Sequence, residues 1–304
     1  MNVIKPRALR PGARIGVVAT AGAVDAKTLQ QGIEAMSAAG FAVEPALSMT
    51  EKKGYLAGSE ELRAKTLEEF FVRPDIDAIV CARGGFGSIQ LLPLLDAKRL
   101  RSHPKIFVGF SDVTILLNWL SQECRLMTFH GPMVAMDMAQ GLTECTREFF
   151  WQTLLGEKKG WQVKVPQAIQ KGVAEGELAG GCLSLLVTTL GTPYEIETKD
   201  KILFLEDVGE KPYRIERMLT HLKMAGKLVG VSGLIFGTFT QCEGDGDRQV
   251  TEVIAEFFSN APYPVVAGFP AGHGKENLLL PIGARMAVDG SAELVSLLET
   301  PVEL

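Results

Sequence analysis

The chain has 304 residues, of which 46% are hydrophobic and 22% charged, a composition typical of globular proteins with a large apolar core. Its formal net charge of -5 argues against nucleic acid or an anionic membrane surface as the main partner. Five scattered cysteines form no C-x-x-C pair, which favours a reducing compartment and argues against a zinc knuckle. The four histidines show no metal-binding spacing either.

The first predicted element is a buried strand at Ile15–Ala19. Basic residues precede it, so the N-terminus superficially resembles a secretory signal peptide. However, the apolar core is short, the Pro11-Gly12 turn comes before it, and a helical pattern starts soon after it at Asp25. No apolar run approaches membrane-spanning length. We therefore predict a cytoplasmic protein that does not enter a membrane.

The first half of the sequence alternates strand and helix patterns, which predicts βαβ units and a parallel sheet of the Rossmann or flavodoxin-like kind. Functional groups on such a sheet gather at the carboxyl ends of the strands. Two loops lie there, Arg83–Gly87 and Gly109–Asp112. The predicted strands are Ile15–Ala19, Ala42–Pro45, Ile76–Cys81, Ile106–Gly109 and Met127–His130, and the predicted helices are Ala26–Ala39, Glu60–Phe71, Ser88–Leu95 and Val113–Ser121.

The second half mixes strands and helices and predicts a smaller, β-rich C-terminal α/β domain. We predict domains at residues 1–157 and 173–304, joined by a polar linker at 158–172. A helix at Thr143–Leu155 closes the first domain. The later predicted helices are Gly181–Leu190, Tyr213–Ala225 and Gln249–Ser259, and the predicted strands are Lys201–Glu206, Val231–Phe239, Val265–Phe269 and Leu278–Val288.

Ser111 is placed as a nucleophilic serine would be. The apolar run Ile106–Gly109 leads into it, and a helical segment starts at Val113. A turn between strand and helix exposes the hydroxyl and directs helix N–H groups at a developing oxyanion. The second glycine of the nucleophile-elbow pattern is missing, since Val113 stands there. The alternative is that Ser111 only caps the helix.

A nucleophilic serine needs a base, and the base needs an orienting acid. His273 lies in a glycine-flanked loop, and His130 at a strand end is the rival base. For the acid, an apolar strand ends in Glu206 and Asp207. Strand alternation would direct Glu206 into a site and Asp207 away from it. The alternative is that both carboxylates are solvated turn residues.

The Arg83–Gly87 loop is glycine-rich but lacks the G-K-[ST] ending of a P-loop and the G-x-G-x-x-G pattern. Its exposed backbone N–H groups suit an oxyanion or a carboxylate as well as a phosphate. We predict that Gly84 and Phe86 contact the substrate.

Taken together, these segments resemble the serine LD-carboxypeptidase family, which includes muramoyltetrapeptide carboxypeptidases and microcin C self-immunity hydrolases. The resemblance runs over nearly the whole chain. The segments that carry it are Arg10–Ala19, Ala82–Ser88, Leu91–Asp96, Gly109–Asp112, His130–Pro132, Gly180–Leu186, Leu190–Tyr194, Ile202–Glu210, Pro212–Leu219 and Gly272–Asn277.

The resemblance implies a Ser-Glu-His triad of Ser111, Glu206 and His273. It also implies an oxyanion hole formed by the N–H groups of Gly85 and Asp112. No metal or organic cofactor is needed for this chemistry, and members are commonly homodimers. The implied substrate is the L-to-D peptide bond before a terminal D-alanine in cytoplasmic murein peptides.

Two other functions remain open. One is hydrolysis of a peptidyl-nucleotide toxin, as in the immunity branch of the family. The other is non-catalytic trapping of a small anion at Arg83–Gly87. The chain also departs from the family pattern, because Cys182 stands where Gly-Gly-Asn-Leu-Ser often supplies an asparagine. A substrate contact assigned to that amide is therefore in doubt.

Overall fold

The computed structural model describes residues 3–243 and 248–304. The chain forms two compact units. The first unit contains the residues up to Lys158 together with Leu278–Pro281 and Pro301–Leu304, and the second contains Lys159–Asn277 and Ile282–Thr300.

The strands of the described residues alternate with helices in the first half of the chain and cluster together later. They are β1 Arg14–Val18, β2 Ala42–Pro45, β3 Ala78–Cys81, β4 Ile106–Gly109, β5 Thr128–His130, β6 Trp161–Lys164, β7 Gln167–Gln170, β8 Val173–Cys182, β9 Lys201–Val208, β10 Gly233–Thr240, β11 Val265–Ala267, β12 Leu280–Ile282, β13 Arg285–Asp289 and β14 Leu294–Leu297.

Several of the α-helices begin at a side chain that caps their first N–H groups. Asp25, for example, accepts from the backbone N–H groups of Lys27 and Thr28 at the start of the first helix. The helices are α1 Ala26–Ala38, α2 Glu60–Val72, α3 Ala97–Arg101, α4 Thr114–Gln122, α5 Glu144–Leu154, α6 Leu183–Thr188, α7 Pro212–Met224 and α8 Val250–Phe257.

The first unit is built on a six-stranded sheet in the order β12-β5-β4-β3-β1-β2. The pairs from β2 through β1, β3 and β4 to β5 are all parallel, so the flavodoxin-like order 2-1-3-4-5 is present. After β2, the strand order continues on the other side of β1, with β3 as its neighbour. In this order, the loops that follow β1 and β3 are neighbours at the carboxyl edge, where α/β proteins bind ligands.

The second unit is built on an eight-stranded mixed sheet in the order β6-β14-β13-β8-β9-β10-β11-β7. Strands β8, β9, β10 and β11 are parallel in the centre, and the outer pairs are antiparallel. The predicted helix Tyr213–Ala225 corresponds to α7, and its Ile215, Leu219 and Leu222 are buried in the core of this unit. The α/β class with a second β-rich domain is therefore confirmed.

Three predicted elements differ in the structure. Leu278–Val288 is two strands, β12 and β13, because Gly283 has φ +92° and interrupts the extended chain between them. Ser88–Leu94 is a 3₁₀ rather than an α-helix, and it contains Pro93, which cannot continue an α-helical hydrogen-bond ladder. Gly181 belongs to β8, so α6 begins at Leu183 rather than at Gly181.

The segment 158–172, assigned to a linker from its polar composition, contains β6 and β7. These strands lie at opposite edges of the second sheet. Short edge strands have one unpaired side and little apolar alternation, which is why the sequence indicated them weakly. Among the described residues, no helix is both long and apolar enough to cross a membrane.

Candidate active site

Ser111 has a left-handed backbone conformation, with φ +59°. It lies directly between the carboxyl end of β4 and the start of α4, and it is half-buried. A non-glycine residue in this region is strained, and such strain is common at functional sites. No side-chain hydrogen bond caps either the turn at 111–113 or α4. The geometry therefore matches a nucleophile elbow better than the alternative of a helix-capping serine.

Gly84 lies against Ser111. A Cβ atom on Gly84 would be 2.9 Å from both Cβ and Oγ of Ser111 and 3.4 Å from the backbone nitrogen of Asp112. The residue type at position 84 is therefore restricted to glycine if the serine is to keep its place. Four of the predicted site residues therefore lie close together, and they are Gly84 with its neighbour Gly85, and Ser111 with its neighbour Asp112.

A buried polar network holds the loop that contains Gly84 and Gly85. Asp112 is fully buried and its Oδ2 accepts from the N–H of Ser88 at 2.8 Å. Arg63, 1% exposed, donates from Nη1 to the carbonyls of Gly87 at 2.9 Å and Thr20 at 2.5 Å. Burial raises the pKa of Asp112 and lowers that of Arg63. The C-terminal end of the loop, at Gly87 and Ser88, is thus fixed by buried side chains.

The predicted oxyanion and substrate contacts surround this loop. Gly85 has φ +118° and is exposed, a conformation that favours glycine. Phe86 is 45% exposed and makes an edge contact with Tyr55, with ring centroids 6.1 Å apart. Helix α4 begins just after Asp112, so its N-terminal partial positive charge lies beside Ser111.

The predicted acid and base meet in the second unit. His273 Nδ1 lies 2.7 Å from Glu206 Oε2, and the backbone N–H of His273 donates to the same oxygen at 3.1 Å. Glu206 is fully buried near the end of β9, whereas the His273 side chain is 15% exposed. A carboxylate acceptor requires the proton on Nδ1. The arrangement therefore leaves Nε2 of His273 as a proton acceptor.

Glycine and amide contacts shape the His273 loop. A Cβ on Gly272 would lie 2.5 Å from Glu206 Oε2, so only glycine allows this carboxylate to approach. The N–H of Gly272 donates to Oδ1 of Asn277 at 3.0 Å, and that of Gly274 donates to Thr238 Oγ1 at 3.1 Å. The bond to Thr238 ties the turn that carries His273 to β10, and the bond to Asn277 closes the loop on itself.

Asp207 points to the other side of β9. Its Oδ2 accepts from the N–H of Ser184 at 2.7 Å, and its Oδ1 accepts from the Ser184 hydroxyl at 3.1 Å. Burial raises the pKa of Asp207 to about 6. Both carboxylates are buried rather than solvated, so the solvated-turn alternative is wrong for this pair. Strand alternation separates their partners, as expected from the sequence.

Cys182 lies beside Asp207. Its Sγ is 3.6 Å from Asp207 Oδ1, and its side chain is 2% exposed. Burial, with the nearby charges of Glu206 and Asp207, raises the pKa of its thiol well above the usual value. At position 182 the chain therefore presents a neutral thiol in place of an amide.

His130, the rival base, is at the end of β5 in the first unit. It is fully buried, and its ring makes an edge contact with Phe110 at 5.7 Å. Within the part of the chain that the structure describes, no group of three or more His, Cys, Asp or Glu side chains is placed to hold a metal ion.

Two family models match the chain. Residues 15–131 match the LD-carboxypeptidase N-terminal domain, and residues 175–288 match the LD-carboxypeptidase C-terminal domain. The chain belongs to the LD-carboxypeptidase family. The N-terminal match contains Ser111, and the C-terminal match contains Glu206 and His273.

Known LD-carboxypeptidase relatives align along nearly the full length. A probable murein peptide carboxypeptidase of Bacillus subtilis is 37% identical over 98% of this chain and 95% of its own length. The crystal structure of a muramoyltetrapeptide carboxypeptidase from Oxalobacter formigenes matches with TM-score 0.85 and 30% identity, over 94% of this chain and 98% of that one. The wild-type apo structure of the microcin C7 self-immunity protein MccF matches with TM-score 0.92 and 25% identity, over 99% of this chain and 100% of that one.

Sequence reasoning missed several residues that hold the loops of the candidate site. Arg63, Thr238 and Asn277 donate or accept the bonds that hold its loops. A helical arginine and a strand threonine carry no local signal of such a role. Asn277 ends the glycine-rich segment that carries His273. Its position there was the one sequence signal for a role in holding that loop.

Proposed function

We propose that this protein is a serine LD-carboxypeptidase that releases the C-terminal D-alanine from murein tetrapeptides. Ser111 is the nucleophile, His273 the general base and Glu206 the orienting acid. The observation that carries the proposal is the 2.7 Å contact between Nδ1 of His273 and the buried Oε2 of Glu206. A histidine held in this way is the acid-supported base of a hydrolytic triad.

The reaction proceeds in two halves. Nε2 of His273 takes the hydroxyl proton of Ser111 while Oγ forms a bond to the carbonyl carbon before D-alanine. The tetrahedral intermediate collapses, the C–N bond breaks, and the imidazolium returns its proton to the departing amine. Water, deprotonated by the same imidazole, then attacks the acyl-enzyme and regenerates the Ser111 hydroxyl. Glu206 keeps the tautomer and stabilises the imidazolium.

The negative charge of the intermediate is stabilised by backbone N–H groups. Gly85 and Asp112 are the proposed donors. The exposed left-handed glycine and the N-terminus of α4 beside Ser111 support this assignment. The buried Arg63 and Asp112 contacts keep the loop rigid, so its donors need not reorganise during reaction. Gly84 and Phe86 line the approach to the serine as proposed substrate contacts.

The murein substrate is supported by the named relatives and not by the geometry alone. The Bacillus subtilis and Oxalobacter formigenes proteins carry murein peptide names at 37% and 30% identity. We further propose that the protein acts in the cytoplasm, where murein peptides are recycled, and that it forms a homodimer. Both statements follow from the family resemblance.

A second candidate function is hydrolysis of a peptidyl-nucleotide. The observation that favours it is the TM-score of 0.92 to MccF, against 0.85 to the muramoyltetrapeptide carboxypeptidase. The lower identity of 25% to MccF weighs against it. Both functions use the same acyl-transfer chemistry at Ser111, and they differ in the leaving group.

The deciding experiment is incubation of the purified protein with a murein tetrapeptide, with the products identified by mass spectrometry. The proposal predicts tripeptide and free D-alanine in equal amounts. Parallel reactions contain the all-L peptide and an aminoacyl sulfamoyl nucleotide. Efficient cleavage of the all-L peptide would contradict LD specificity. Cleavage of the nucleotide conjugate alone would favour the second function, and no cleavage of any substrate would favour non-catalytic binding.

A further inference from the structure

A cavity of about 450 Å³ lies beside the Ser111 loop in the first unit. It is lined by Gly22, Ala23, Tyr55, Arg83, Gly85 and Phe86. The segment at 22–23 follows β1, and the segment at 83–86 follows β3. The cavity thus occupies the carboxyl edge between β1 and β3, where the strand order reverses and α/β sheets characteristically bind ligands.

Backbone bonds fix the walls of this cavity. The N–H of Gly22 donates to the carbonyl of Gly84 at 3.2 Å, and the N–H of Ala23 donates to that of Tyr55 at 2.8 Å. A Cβ on Gly22 would lie 2.9 Å from the Gly84 carbonyl oxygen and 3.3 Å from Nε of Arg83. The backbone therefore fixes the cavity walls, and Gly22 lets the Arg83 side chain pass close to the backbone.

Arg83 brings a positive charge into the cavity without a negative partner. Its Nη1 donates to the carbonyl of Ala23 at 3.1 Å, and its Nε is buried without a hydrogen-bond partner. Across residues 3–243 and 248–304 it forms no ion pair. A partly buried guanidinium without a counter-ion is costly for the folded protein. By contrast, Arg63 has three acceptors nearby, of which two are backbone carbonyls and one is Gln90 Oε1 at 2.7 Å.

The position of Arg83 suits one group of the substrate. Arg83 directly precedes Gly84, which touches Ser111. In a carboxypeptidase, the terminal carboxylate is only one residue away from the carbonyl that the serine attacks. Guanidinium and carboxylate groups match in geometry and form paired, charge-assisted hydrogen bonds.

We propose that Arg83 binds the terminal carboxylate of the substrate and so makes the enzyme an exopeptidase. The inference rests on the proposed function, since it assigns a role within the same site. The backbone N–H groups of the Arg83–Gly87 loop also suit a carboxylate, and the guanidinium of Arg83 adds a positive charge to them. The exposed rings of Tyr55 and Phe86, 69% and 45% exposed, form the outer wall that the last residue of the peptide packs against.

The test measures binding separately from cleavage. Ser111→Ala protein, which cannot turn over, is titrated calorimetrically with a murein tetrapeptide and with its C-terminal amide. The same titrations are made with Arg83→Gln, Arg83→Lys and Arg99→Gln added to the Ser111→Ala background. Arg99 is a surface arginine of α3 in the same unit, with 48% of its side chain exposed, so it controls for the loss of one positive charge.

Arg83→Gln should weaken binding of the free acid roughly 10- to 100-fold, as expected for charge-assisted hydrogen bonds. The affinity for the C-terminal amide should stay within about twofold of that of the Ser111→Ala protein, so that the preference for the free acid disappears. Arg83→Lys should keep part of that preference, and Arg99→Gln should keep all of it. A parallel loss for acid and amide would show a structural role and overturn the proposal, as would an unchanged preference.

Failure of this inference is distinguishable from failure of the proposed function. If the Ser111→Ala protein binds neither peptide and the wild type releases no D-alanine, the murein function is wrong. If the wild type cleaves the tetrapeptide and the Arg83 variants keep the acid preference, only the assignment of Arg83 is wrong. If the Ser111→Ala protein binds the tetrapeptide and its C-terminal amide equally well, the terminal carboxylate is not recognised, and the assignment of Arg83 is overturned.

Discussion

Gly84 and Ser111 are in such close contact that a single methyl group would not fit between them. A Cβ at position 84 would lie 2.9 Å from both side-chain atoms of Ser111, and real Cβ contacts are longer than 3.0 Å. The serine itself is already in a strained left-handed conformation, with φ +59°. Its hydroxyl position therefore depends on a residue in a different loop, at the end of a neighbouring strand.

Gly84→Ala should lower kcat by roughly 100-fold, because small displacements of a reacting group cost about that much. The fold should be retained, since only the loop beside Ser111 must shift. The matched control is Gly233→Ala, where a Cβ would make ordinary contacts of 3.5 Å. Steady-state kinetics and circular dichroism on both variants provide the measurement, and equal activity of the two would contradict the argument.

Ser111→Ala should abolish turnover of the tetrapeptide, with a loss of roughly 10⁴-fold or more, because the members of a triad act as a unit. The variant should still fold and bind peptide. Product release measured by mass spectrometry over long incubation gives the residual rate. Turnover near the wild-type level would require another nucleophile and would bring His130 back as a candidate base.

Glu206→Gln should impair catalysis far more than Asp207→Asn. The first change removes the carboxylate that orients His273 at 2.7 Å, while the second alters a contact to Ser184 on the opposite side of β9. We expect a loss of roughly 10⁴-fold for Glu206→Gln, in line with the effect of this change in other triads. The Asp207 variant should lose less than about tenfold. The reverse order of kcat values would show that the two roles are exchanged.

Activity should fall as the medium becomes acidic. A histidine can take the serine proton only when its imidazole is neutral, and ordinary histidines titrate near pH 6.5, with a typical spread of about one unit. Rate constants measured for the wild type between pH 4 and 9 should therefore decrease on the acid side with a slope of one proton. A rate that stays constant down to pH 4 would argue against a histidine base.

Asp207 should make stability depend on pH. Burial raises its pKa from the ordinary 3.8 to about 6, so in that interval the folded protein holds a proton that the unfolded chain releases. This contribution is present at low pH and is lost as the pH rises through about 6. The shift corresponds to about 3 kcal/mol.

Asp207→Asn removes this titration, since its amide is neutral at every pH. Between pH 4 and pH 7, the free energy of unfolding of the wild type should therefore fall relative to that of Asp207→Asn. Urea denaturation of both proteins at the two pH values gives the comparison. Parallel pH profiles would mean that Asp207 titrates normally in the folded protein.

The sequence predicted the strand–helix alternation of the first half well, because parallel buried strands are continuous apolar runs between amphipathic helices. Strand β4 and the start of β9 were predicted for the same reason, and with them the positions of Ser111 and Glu206, although β9 continues past the predicted end at Glu206 to Val208. The register of β9 followed from strand alternation, which placed Asp207 away from His273.

Other features depend on contacts between residues distant in sequence. The close approach of Gly84 to Ser111, and of Gly272 to Glu206, has no local signal beyond the glycine itself. Arg63 lies on a helix of mixed composition, and nothing near it in the sequence indicates that its guanidinium is buried against Gly87. The edge strands β6 and β7 have only four residues each, which is too few to give a clear strand pattern in the sequence.

Strand β12 belongs to the first sheet although most of the second unit precedes it in the chain. It lies at the edge of that sheet next to β5, and Glu303 near the chain end pairs with Arg7 close to its beginning. During synthesis, the half that bears the serine therefore lacks an edge strand until residue 282 has left the ribosome. A fragment ending at Lys158 would expose the unpaired edge of β5, which invites pairing with other chains. Expression of residues up to Lys158 alone should therefore yield aggregates. A version of the first unit that folds alone requires a circular permutation that joins residues 278–281 to it.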